Sequence, residues 1–201
     1  MVPRSWPGET CVCIASGPSL TQADVNYVRS KARSIVVNTT YQLAPWADVL
    51  YAADARWWIW HKGAPDFAGL KFSVGMPPPK YGVTRLKAAG EPGLSLDPAA
   101  LCTGQNGGYQ AINLAVLFGV VRVVLLGYDL QLGPAHEEHW HAPHNPRSIV
   151  APSLLEQKLA RFRAAFVALV APLNAAGIAI VNCTRRTSLT CFPCRALEAT
   201  L

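Results

Sequence analysis

Thr10-Cys11-Val12-Cys13-Ile14-Ala15-Ser16-Gly17-Pro18-Ser19-Leu20 is the stretch that decides the fold. Its first six residues form a nearly continuous apolar run, without the polar alternation of a half-exposed strand. A strand that is buried on both faces reads this way, and parallel sheets bury both faces. The small residues that follow make a tight turn, and a helix-compatible segment begins at once. Strand, short turn and helix in this order are the unit of a parallel α/β sheet.

The same unit recurs along the chain. Further apolar runs lie at 34–38 (SIVVN), 48–52 (DVLYA), 70–74, 121–126 (VRVVLL) and 178–182 (IAIVN). Helical stretches are predicted over 20–32, capped by Ser19 or Thr21, over 53–61, over 106–118 with Gly119 as terminator, and over 152–176 with Gly177 as terminator. In the last of these, Leu154, Leu155, Leu159, Phe162, Phe166, Leu169 and Val170 form an apolar stripe. The alternation predicts an α/β fold, a single-domain Rossmann-like and mostly parallel sheet flanked by helices. Two long irregular stretches, 75–100 and 127–151, stand out as a candidate lid and a candidate active-site loop.

Composition agrees with one packed unit. The chain has 201 residues, of which 51% are hydrophobic and 15% charged. That length predicts a single domain spanning 1–201, with a core that needs neither disulfide nor metal, and it excludes a disordered chain. No apolar run reaches the roughly 18 residues of a membrane span. The longest, 111–126, is interrupted by Gly119 and Arg122. The first seven residues lack the apolar core of a signal peptide, so a cytoplasmic setting is expected, and the apolar composition is compatible with a homo-oligomer. Six cysteines, including the lone pair Cys191-Phe192-Pro193-Cys194, read as structural thiols. The net charge of +6 favours an anionic partner, a nucleotide or a nucleic acid.

Ligands of open α/β sheets bind beyond the carboxyl ends of the strands, so the residues there are the site candidates. After the first strand, Ser16, Gly17, Pro18 and Ser19 lead into a helix N-terminus, where an anion is favoured. The second strand ends at Asn38 and the third runs into Asp54. Each has a local role as an alternative, Asn38 in a turn and Asp54 as a helix cap. Thr103, Gly104, Gln105 and Asn106 open a glycine-rich turn before the strongest helix. The fifth strand ends in Gly127-Tyr128-Asp129. Beyond it lies His136-Glu137-Glu138-His139-Trp140-His141-Ala142-Pro143-His144, with four of the five histidines of the chain. His139, His141 and His144 are candidates for a general base. The spacing is also compatible with metal ligation and with a solvated loop.

Taken in order, SGPSL, Asn38, Ala53-Asp54, TGQNGG, LLGYD and HWHAPH make the chain resemble the phage proteins called norphogenetic proteins, over about residues 11–197. More remotely it is similar to the CMP-sialic-acid-using sialyltransferases of glycosyltransferase family 42, to the motility-associated factors of flagellar glycosylation, and to 6-hydroxymethylpterin pyrophosphokinase-like proteins. The sialyltransferase resemblance implies that Ser16, Gly17, Pro18, Ser19 and Asn38 hold a nucleotide, and that Thr103, Gly104, Gln105 and Asn106 meet phosphate and sugar. It implies that a histidine among 139, 141 and 144 deprotonates the acceptor hydroxyl, without a bound metal. Tyr128 and Tyr109 are the tyrosines placed to assist the leaving phosphate.

The expectation is therefore a glycosyltransferase-like enzyme using a nucleotide-activated sugar as co-substrate, a CMP-type donor among the candidates, with no tightly bound cofactor. Phage DNA carrying a hydroxymethylpyrimidine is a candidate acceptor in the host cytoplasm, with Trp57, Trp58, Trp60 and Trp140 available for base stacking. Two other readings remain open. One is Mg²⁺-dependent diphosphate transfer from a nucleoside triphosphate through Asp54, Asp129, Glu137 and Glu138. The other is a non-catalytic nucleotide-binding or assembly protein of the phage.

Overall fold

The computed structural model describes residues 1–90, 92–142 and 151–201. Seven strands form one sheet: β1 (Thr10–Ile14), β2 (Arg33–Val37), β3 (Val49–Tyr51), β4 (Leu70–Ser73), β5 (Thr84–Arg85), β8 (Arg122–Leu126) and β9 (Ala179–Asn182). Their spatial order is β5-β4-β3-β2-β1-β8-β9, and every pairing is parallel. This is the single-domain α/β, Rossmann-like fold that the apolar runs predict. A separate two-stranded piece pairs β6 (Lys87–Ala88) with β7 (Ala100–Leu101), so the stretch 75–100 is less irregular than its sequence suggests.

The register explains the unbroken apolar runs. Cys11 and Cys13 point to one face of the sheet, where they join Ile35, Val37, Val123 and Leu125. Val12 and Ile14 point to the other, with Val36, Leu50, Val124 and Leu126. Helices cover both faces. On the second face lie α1 (Gln22–Val28), through Val25 and Val28, and α2 (Ala55–Trp60), through Trp57 and Trp58. On the first lie α3 (Gly107–Phe118), α4 (Pro152–Val167) and α5 (Val170–Ala175), through Ile112, Phe118, Phe166 and Leu173.

Helix α1 begins with a capping box, in which the Thr21 side chain accepts from the Asp24 amide and Asp24 accepts from the Thr21 amide. It is shorter than the predicted 20–32, because the chain turns at Arg29 and Ser30, the latter at φ 65°. The predicted helix 152–176 is two helices. Its apolar stripe holds at Leu159, Phe166 and Leu169, but Leu154 is 56% exposed. Among the described residues, no helix is long and apolar enough to cross a membrane.

Helix α3 is buried from Gly108 to Phe118. The sheet covers one side and the segment before it covers the other. Asn113, fully buried, ties the two together: its side-chain oxygen accepts from the amides of Ser95 and Cys102, both at 3.0 Å, and its amide nitrogen donates to the Ser95 carbonyl at 2.8 Å.

Candidate functional site at the sheet's switch point

The chain runs outward from β1 through β2, β3 and β4, then returns across α3 to place β8 on the other side of β1. The reversal leaves a crevice at the carboxyl ends of β1 and β8, the position where open α/β sheets bind ligands. A cavity of about 430 Å³ occupies it, within the size range of small-molecule sites. Ser16 and Gly17 after β1, Asn38 after β2, Asp54 after β3, Gly127, Tyr128 and Asp129 after β8, and the start of α3 line its walls.

The backbone around the cavity is held in unusual conformations. Asn38 (φ 52°), Gln105 (φ 54°) and Leu130 (φ 49°) all adopt the left-handed region without being glycine, and all three line the cavity. Such residues cost on the order of 1–3 kcal/mol each and concentrate at functional sites.

Asp129 is the most constrained side chain. It is 2% exposed. Its Oδ2 accepts the Ser19 amide at 3.0 Å, while Oδ1 is buried with no hydrogen-bond partner among the described residues. Burial pushes its carboxyl up to about 6, against the hydrogen bonds from Ser19 and the charge of Arg186. A Cβ on Gly17 would overlap the Asp129 carboxylate and the Gly127 carbonyl. Glycine at position 17 is thus required by close packing, and its amide is already bonded to the Gly127 carbonyl at 2.8 Å. Pro18 and Ser19 do not line the cavity. Ser19 acts through its bond to Asp129.

The histidine loop folds over Ser16. His139 Nδ1 lies 3.1 Å from Ser16 Oγ, and His139 Nε2 lies 3.9 Å from Glu138 Oε1. Lys158 on α4 bonds the same Glu138 oxygen. Trp140 fastens the loop at two points: its amide donates to the Ser16 carbonyl at 3.1 Å and its indole N–H to Thr40 Oγ1 at 3.3 Å. His139, Glu138 and Lys158 line the cavity, and His141 does not. His141 stacks on His139 with ring centroids 5.0 Å apart, and its Nδ1 lies 2.7 Å from the Ala142 carbonyl. Burial lowers its pKa, partly offset by that carbonyl. His144 lies outside the described residues.

The start of α3 forms the facing wall. Asn106 caps the helix by accepting the Tyr109 amide. Gly107 and Gly108 follow on the cavity wall as the first helical residues, whose amides have no intrahelical acceptor. A Cβ at Gly108 would meet the Tyr128 ring, which explains the second glycine. Tyr128 is fully buried and donates its hydroxyl proton to the Gly108 carbonyl at 3.0 Å, and burial pushes its phenol well up. It braces the turn. Gln105 and Asn106 reach the cavity, but Thr103 and Gly104 do not. Thr103 bonds the Gly90 carbonyl. Tyr109 points away and exchanges two hydrogen bonds with Gly93.

No protein-family model matches this chain, and no curated protein or solved structure is detectably similar to it.

Several candidate residues have local roles in the structure. Asp54 caps α2 by accepting the Arg56 amide at 2.8 Å, although it also reaches the cavity wall. Trp57 and Trp58 are buried against the sheet. Together with the loop anchor Trp140 they are engaged inside the protein, and of the four only Trp60, 50% exposed, lies open for stacking. Among the described residues no three His, Cys, Asp or Glu side chains converge to hold a metal. All six cysteines are free thiols, four of them buried. Lys158, Leu159 and Phe162 of α4 also line the cavity; the sequence places Leu159 and Phe162 only in the helix's apolar stripe and gives Lys158 no role. The signal for Lys158 was its place next to the buried stripe of an amphipathic helix.

Proposed function

We propose that the chain is a transferase that moves a sugar or related group from a nucleotide-activated donor to an acceptor hydroxyl in the switch-point cavity. One observation carries the reading: a cavity of nucleotide size places a histidine, held between Ser16 and Glu138, opposite the N-terminus of α3. The amides of Gly107 and Gly108, which have no intrahelical acceptor, and the helix dipole suit the donor phosphate. They stabilise the charge that grows on it as the bond to the transferred group breaks. His139 takes the proton of the acceptor hydroxyl, and Asn38 and Gln105 orient donor and acceptor. Much of the rate would come from holding the two together. The net charge of +6 supports an anionic partner. If the acceptor is DNA, charge rather than tryptophan stacking must hold it, and binding should weaken steeply with salt.

Thermal unfolding with a panel of nucleotides and nucleotide sugars, in Mg²⁺ and in EDTA, tests the reading. A ligand at 100 times its Kd stabilises by about 2.7 kcal/mol, a shift of roughly 5–10 °C at this chain length. The expected result is a metal-independent shift with one nucleotide, kept in His139→Ala while turnover is lost. A shift only with a triphosphate and Mg²⁺ would replace sugar transfer by diphosphate transfer. No shift with any nucleotide would overturn the proposal.

A further inference from the structure

Ser16 has a second property that nucleotide binding does not require. Its hydroxyl is 3.1 Å from a histidine nitrogen, and the other nitrogen of that ring faces a carboxylate at 3.9 Å. The carboxylate, ion-paired to Lys158, favours the proton on Nε2. Nδ1 is then the acceptor for the Ser16 hydroxyl proton. A nucleophile in hydrogen-bond reach of a base, with the base oriented by a third group, is the signature of nucleophilic catalysis, and it is recognised by roles rather than by sequence order.

The surroundings complete the set. Ser16 is only 7% exposed, and what it meets is the cavity. The bonds of Trp140 to Ser16 and Thr40 hold the loop so that His139 stays over the hydroxyl. Gly107 and Gly108 offer two backbone donors on the wall of the same cavity, where an oxyanion could be received. The Gly17 amide, next to the nucleophile, is already bonded to Gly127, so α3 is the source of oxyanion donors.

We infer that Ser16 is a covalent nucleophile toward activated carboxylic esters, with His139 as its base and Glu138 as the residue that orients His139. Ser16 Oγ attacks the ester carbonyl carbon and its proton passes to His139 Nδ1. The negative charge on the carbonyl oxygen rests on the amides at the start of α3. The carbon–oxygen bond to the leaving alcohol breaks, and the alcohol departs with the proton from His139. Water then attacks the acyl-Ser16 ester by the same route, releasing the acid and restoring the hydroxyl. The inference uses the cavity of the proposed transferase but not its nucleotide.

The test is labelling with a fluorophosphonate, which forms a phosphorus–oxygen bond to an activated serine and releases fluoride. Intact-mass measurement and peptide mapping of the full chain read the result, with p-nitrophenyl acetate hydrolysis beside it. One adduct per chain on Ser16 is expected, absent from Ser16→Ala and from heat-unfolded protein. His139→Ala should slow labelling by at least about 100-fold, and Glu138→Gln by about 10-fold or more. No adduct on the folded wild-type chain, or an adduct on another residue, overturns the inference whether or not the variants fold. A nucleotide-induced thermal shift without labelling would leave the transferase reading standing. Labelling without any nucleotide shift would leave only the ester chemistry.

Discussion

The carboxylate of Asp129 lies where a side chain on Gly17 would begin. Residues 112 positions apart are thereby locked in contact at the carboxyl ends of the two central strands. Gly17→Ala should destabilise the protein by about 3 kcal/mol or more, the scale of overpacking and displaced buried groups. Removing the carboxylate should recover part of that loss and not all of it, because the Gly127 carbonyl also crowds the position. A double-mutant cycle with Asp129→Ala, read by urea denaturation, should give a coupling of about 1 kcal/mol or more.

The raised pKa of Asp129 makes a statement about pH. Its folded value of about 6 lies above the ordinary value near 4. The folded chain therefore binds more protons than the unfolded one between those limits, and stability falls as pH rises through that window. Two units correspond to about 3 kcal/mol. Asp129→Asn removes this dependence. The stability of the variant relative to wild type should rise from pH 4 to pH 6 and level off above pH 7, as calorimetry at a series of pH values would reveal. A flat difference would mean that the carboxyl titrates normally.

Asn113 holds the amide and carbonyl of Ser95, between β6 and β7, and the amide of Cys102, just after β7. Asn113→Ala would leave two amides and a carbonyl buried without partners, each costing on the order of 1–3 kcal/mol. A loss of about 3 kcal/mol or more in chemical denaturation is expected, with early hydrogen exchange at Ser95 and Cys102. Asn113→Asp keeps the acceptor for both amides but buries a charge, so it should be the milder change at low pH and not at neutral pH.

Trp140→Phe keeps the ring and loses the indole bond to Thr40. Its cost in stability should be near 1 kcal/mol. The larger effect should appear as faster proteolytic cleavage of the loop that carries His139, and as slower turnover. Unchanged proteolysis would show that the backbone bond to Ser16 suffices.

The parallel sheet was legible because its strands are buried on both faces, so Thr10–Ile14 and Arg122–Leu126 read as apolar runs whatever their partners. The caps at Thr21, offered beside Ser19, and at Asp54 were legible because capping is local. The break after Val167 has a local mark, Pro172, which has no N–H for the Ala168 carbonyl and would crowd it in a continuous helix, but the apolar stripe runs on across it and reads as one helix. At the site, the strand-end rule found Ser16, Asn38, Gln105 and Asp129. It did not distinguish His139 from His141, because adjacent positions in a loop have no fixed period to orient them. The contact of Ser16 with His139 spans 123 residues and leaves no trace in local pattern. Lys158 was hidden by a helix whose exposed and buried edges differ by one residue.

The pairing of β1 with β8 joins Thr10 to Arg122 and sets an order of events during synthesis. The ribosome has made more than half of the chain before the inner strand can acquire its second neighbour. Until then β1 shows a bare, apolar edge on the side that will become the middle of the protein. Contacts this distant slow folding, and an unpaired strand edge invites association with other chains. The nascent N-terminal half is thus the stage most exposed to aggregation, and arrested chains ending before Arg122 would be the ones to engage a chaperone.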